Sequence, residues 1–216
     1  MNLQLNAMAL AMPEVAGHPN RLPFRGVLTL VGVASQRPPS GARGHRVMLT
    51  RAATEAALPS LLGMALDYAP SLDSHDVRRK IGIITEAELV PWLPASSPEC
   101  QAQGDDRSPS TRADRGRSPG TTAEKRQRAR NECRSIGQVA VSGYLFAHDF
   151  PEVVAEMRAQ AAGETSTLGM SYEIARVEIP NQNTAIWTAT SFTFTGAAVL
   201  RRDKAAYPQT WIEVGN

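Results

Sequence analysis

Hydrophobic and polar positions divide the chain into two patterned stretches separated by a long polar one. Residues 24–33 (FRGVLTLVGV) carry β-branched and leucine side chains between glycines, which predicts a strand. Pro38-Pro39-Ser40-Gly41 reads as a turn, and residues 45–49 as a second strand. Thr50 is suited to cap a helix running from Arg51 to about Leu62, with Leu58, Leu61 and Leu62 on its buried side and Gly63 ending it. Pro59 should kink or shorten that helix, because its ring has no N–H to give. Residues 80–89 predict a further strand. Beyond the polar stretch, residues 138–146 (QVAVSGYLF) alternate as a strand does. Asp149 is placed to cap a helix with Pro151 and Glu152 in its first turn and Val153, Val154, Met157 and Ala161 on its apolar face. Residues 168–179 and 185–200 are both strand-like. Many strands and two helices predict an α+β domain, mostly an antiparallel sheet or barrel.

The stretch between, residues 94–135, is rich in Ser, Pro, Arg, Gly and Asp and has no large apolar side chain. It cannot bury enough surface to offset the entropy of ordering, so it is expected to be a disordered basic insertion. Each flank alone is too small to close a core. The reading is therefore one domain formed by residues 21–93 and 136–212, preceded by a flexible segment over residues 1–20.

With 42% hydrophobic and 20% charged residues in 216, the composition is that of an ordinary globular protein. The net charge of +2 is misleading as a property of the fold. Eight Arg and one Lys against six acidic residues give +3 to residues 94–135, leaving about −1 elsewhere. The patterned part therefore offers no electrostatic footprint for nucleic acid, and none is expected as a partner. Lys125-Arg126-Gln127-Arg128-Ala129-Arg130 could touch phosphates, but no aromatic side chain lies nearby to stack on bases. No stretch approaches the ~18 apolar residues of a membrane span, and residues 1–12 lack the positive start of a signal peptide. A cytoplasmic product is expected. Cys100 and Cys133 both fall in the polar stretch, without metal-ligand spacing, and are expected as free thiols, with a disulfide closing that stretch as the alternative.

Two residues invite chemistry. His75 lies in Asp73-Ser74-His75-Asp76, just before the apolar run Lys80-Ile81-Gly82-Ile83-Ile84, and Ser171 lies in Leu168-Gly169-Met170-Ser171-Tyr172-Glu173-Ile174. A serine hydroxyl is a poor nucleophile until a base takes its proton, and imidazole titrates near neutrality. The bland alternatives are a loop histidine beside two aspartates and an ordinary strand serine.

Taken in order, Phe24-Arg25-Gly26, the His75 block ending in Ile81-Gly82, residues 145–157, Leu168-Gly169-Met170-Ser171 and residues 192–198 resemble the prohead serine proteases of tailed phages. That family has a herpesvirus-protease-like fold. The resemblance covers residues 22–93 and 136–207. It implies a serine endopeptidase that cleaves scaffold and capsid proteins inside an assembling prohead in the bacterial host cytoplasm, with Ser171 as nucleophile, His75 as base and no cofactor or metal. A homo-oligomer is compatible with it.

Two departures stand out. The family's acid that orients the histidine belongs on the strand matching residues 187–193, yet residues 185–200 hold no Asp or Glu. Tyr172-Glu173 also stands where small residues are frequent. Because residues i and i+2 of a strand share a face, Glu173 should lie beside Ser171 and could supply the missing acid. His148, before Asp149, is an outside candidate for the same place. The missing acid also supports a second reading: a catalytically silent relative with a structural or scaffolding role in a phage-like particle. A nucleic-acid-associated protein acting through the insertion is a third.

Overall fold

The computed structural model describes residues 7–13, 15–92, 136–161 and 167–215. Strand accounts for 46% against 13% helix, so the fold is α+β with the sheet dominant, and the main sheet curls into a half-barrel. Its strands are β1 (Ala7–Ala9), β2 (Leu22–Val31), β4 (Ala65–Tyr68), β5 (Lys80–Pro91), β6 (Gly137–Leu145), β7 (Leu168–Glu178), β9 (Ser191–Arg201) and β10 (Trp211–Val214). They follow the order β10-β2-β6-β5-β4-β9-β7, with β1 beside β5. A separate parallel pair joins β3 (Arg46–Leu49) to β8 (Ile186–Ala189).

Strands from both sides of the polar stretch interleave, for β6 lies between β2 and β5. Pro91 and Gly137 are register partners, so the chain leaves and re-enters the sheet at one place. The insertion itself, with both cysteines, lies outside the described residues. Within residues 1–20, expected as a flexible segment, Ala7–Ala9 pair with Glu86–Glu88, and Asn20 accepts from the His148 amide and donates to Asp149.

Thr50 caps the first helix as expected, accepting from the Ala53 amide at 3.3 Å. That helix, α1 (Arg51–Ala57), is shorter than predicted. At Pro59 the chain tightens into a 3-10 turn over Leu58–Leu61, which keeps Leu58 and Leu61 buried. The second helix, α2 (Pro151–Ala161), begins after Phe150, and the Asp149 carboxylate bonds Asn20 Nδ2 instead of serving as the expected cap. Its Val153, Val154 and Met157 are buried. The single strand expected over residues 185–200 is two, divided at Thr190, with β8 pairing β3 and β9 joining the main sheet.

The core fills the concavity of the sheet with Phe24, Leu28, Ile84, Val139, Met170, Phe194 and their neighbours, closed by α1 and the 3-10 turn. A smaller cluster of Val27, Leu30 and Tyr207 is fixed by the Tyr207 hydroxyl, which lies 3.1 Å from the Val33 carbonyl and 3.0 Å from that of Val47.

Candidate active site

The site is one row of residues across four strands. Ser171 on β7 is the register partner of Ala198 on β9, Ala198 of Asp67 on β4, and Asp67 of Lys80 on β5. Directly opposed residues of a sheet project from the same face, with strands about 4.8 Å apart, so Ser171 and Asp67 are separated by about 10 Å. Between them stands only the methyl group of Ala198, which is fully buried.

His75 fills that gap. The segment after β4 runs over this face and returns to β5, held by several main-chain bonds. The Leu72 amide donates to Ala69, the Leu72 carbonyl accepts from Arg201, and the Tyr68 amide donates to Arg79. Leu72 is buried and takes positive φ, turning the chain sharply. Asp73 accepts from the Ser71 and Ser74 hydroxyls, which hold its carboxyl below the usual carboxylate range. Asp76 receives the Arg78 amide. Both neighbouring aspartates therefore serve the loop and leave the imidazole to other partners.

His75 Nε2 lies 3.2 Å from Ser171 Oγ, bringing together two residues 96 positions apart in sequence. The distance is that of a hydrogen bond, with the hydroxyl placed to donate to a neutral ring nitrogen. On the far side of the ring, Nδ1 is 3.7 Å from two carboxylates, Asp67 Oδ2 and Glu173 Oε1. Glu173 thus reaches the histidine, as strand periodicity predicts. It lies over Gly196, its register partner, where any Cβ would fall 2.8 Å from Oε2.

Asp67 is a second carboxylate beside the imidazole, one that the sequence reading did not single out. Its side chain is 1% exposed, against 46% for Glu173. Lys80 Nζ binds Asp67 Oδ1, which offsets the cost of a buried carboxylate. Its other oxygen, Oδ2, and His75 Nδ1 are both sealed from solvent and both lack a hydrogen-bond partner. A sequence signal existed: Asp67 is the one charged residue in the apolar run 61–70 (LLGMALDYAP), and a charge buried by such a run needs a partner.

Ser171 also lies on an edge. β7 ends the sheet path, with β9 on one side. The Met170 amide points away from β9, donating to Thr210 Oγ1 at 3.1 Å. By strand alternation the main-chain groups of Tyr172 and Ile174 face that same side, which carries no strand partner among the described residues.

The remaining histidines lie elsewhere. His148 is largely exposed beside Asp149, His18 accepts from the Asn20 amide, and His45 stacks on Trp187 with ring centroids 4.4 Å apart. Among the described residues, no group of three or more His, Cys, Asp or Glu side chains is placed to hold a metal ion. No helix among them is long and apolar enough to cross a membrane. Comparison with protein-family models, curated proteins and solved structures finds no match to this chain.

Proposed function

We propose that the protein is a serine endopeptidase of the phage prohead maturation type, cutting scaffold and capsid proteins during head assembly, on a herpesvirus-protease-like fold. The observation that carries this reading is the 3.2 Å approach of His75 Nε2 to Ser171 Oγ. A serine and a histidine so placed form an activated nucleophile.

In the proposed reaction Ser171 Oγ attacks the scissile carbonyl while His75 Nε2 takes its proton. The imidazolium then protonates the leaving amine, giving an acyl-enzyme. Water, deprotonated by the same nitrogen, releases the acid product and restores the serine. The side of β7 that carries no strand partner among the described residues supports a peptide as substrate, since an extended chain can pair with an unpaired strand edge and bring its carbonyl beside a nucleophile on that strand. The alternative of a silent scaffold protein rests on a missing acid, and two carboxylates face the histidine here.

The test is co-expression with the capsid and scaffold proteins that this reading makes its substrates. Wild type should shorten the capsid or scaffold protein, and Ser171→Ala should leave it full length. Equal shortening by both, or by neither, would refute the reading.

A further inference from the structure

We infer that Asp67, on β4, is the positioning residue for His75, with Lys80 fixing the Asp67 carboxylate from behind. The inference rests on the peptidase reading and deepens it by assigning the group that orients the base. Resemblance places that acid on a later strand, where this chain has none, and strand periodicity points to Glu173. The register of the sheet points to neither.

Three observations favour Asp67. The first is the row itself: Ser171, Ala198 and Asp67 face the same way on adjacent strands, so a ring above Ala198 has one nitrogen toward each end. The second is the matched pair of orphan atoms. Asp67 Oδ2 and His75 Nδ1 are buried, unpartnered and 3.7 Å apart. A buried polar atom left unpaired destabilises the fold, so a shift of under about 1 Å that joins them satisfies both. Catalytic hydrogen bonds are often long before substrate binds. The third is burial. Glu173 lies at the same distance but is nearly half exposed, and a solvated carboxylate holds an imidazole weakly. Lys80 occupies Asp67 Oδ1 and leaves Oδ2 directed to the ring.

In this arrangement Nδ1–H donates to Asp67 Oδ2, leaving the Nε2 lone pair facing Ser171. When Nε2 takes the serine proton, the carboxylate stabilises the imidazolium and itself stays ionised. Glu173 remains a solvated neighbour.

The test reads the ring directly. Long-range ¹H–¹⁵N correlation spectra of the whole chain, with His75 assigned by its loss in His75→Gln, report which nitrogen carries the proton. Wild type should show the Nδ1–H tautomer, and Asp67→Asn should lose it while Glu173→Gln retains it. Acylation of Ser171 by a fluorophosphonate should slow about a thousandfold in Asp67→Asn and by less than about threefold in Glu173→Gln. An Nε2–H tautomer in wild type overturns the inference without need of any variant. So does loss of tautomer and rate in Glu173→Gln alone. A wild type that resists acylation yet changes tautomer in Asp67→Asn supports the pairing while removing the peptidase reading.

Discussion

Ser171 and Asp67 share a single register partner, Ala198, and so face each other across the width of one small residue. The imidazole of His75 spans that width, and neither strand alone builds the site. Methyl-sized bulk at position 198 is a condition of the arrangement: a larger side chain would take the place of the ring.

Ala198→Leu should therefore displace His75. Overpacking at a buried position costs about 1–3 kcal/mol, so the variant should still fold. Acylation of Ser171 should fall at least about a hundredfold, while Ala198→Gly stays within about tenfold of wild type. Labelling of Ala198→Leu at the wild-type rate, in a protein that melts cooperatively, would show that the ring does not occupy this space.

The insertion should be dispensable for folding. Because Pro91 and Gly137 are register partners, a short turn can join β5 to β6. Replacing residues 93–135 by about four turn residues removes more than three doublings of loop length, which should stabilise the domain by up to about 2 kcal/mol. Urea denaturation measures it. A large loss of stability would mean that those residues contribute to the core.

Alkaline pH should weaken the fold. Burial pushes the Tyr172 phenol up from 10.0 to about 12, and burial also raises Tyr207 and Tyr68, the latter further through its bond to Glu156. A raised folded value means that the neutral form is favoured on folding. The contribution is complete below the unfolded pKa of about 10 and is lost as pH rises through about 12. For Tyr172 alone the slope is about 1.4 kcal/mol per pH unit within that window. Urea midpoints measured with phenolate absorbance should fall together there. Stability that holds level across the window would contradict the buried placement of these phenols.

Much of the architecture was legible because long strands announce themselves. β2, β5, β6 and β7 each carry an apolar run or alternation long enough to exceed local noise. Thr50 likewise betrayed the start of α1 through its side-chain chemistry. β4 was not legible. Its four residues sit between Gly63 and Pro70, and Leu66, Asp67 and Tyr68 are all buried, so no alternation marks it. The strand exists because β5 and β9 flank it, and pairing with β9 is parallel and distant in sequence. Local context singled out Ser171, His75 and Glu173, whereas Asp67 offered only a lone charge in an apolar run, and its place opposite Ser171 depends on strand pairing distant in sequence. The division at Thr190 was hidden for a similar reason: β8 and β9 have the same β-rich composition, and only their different partners separate them.

Intact-mass analysis after treatment with a fluorophosphonate tests the pairing of His75 with Ser171 most directly. The account predicts one adduct, on Ser171, formed rapidly by wild type, at least about a thousandfold more slowly by His75→Gln, and not at all by Ser171→Ala. A wild type that stays unmodified, or an adduct that forms as fast without the histidine, would contradict it.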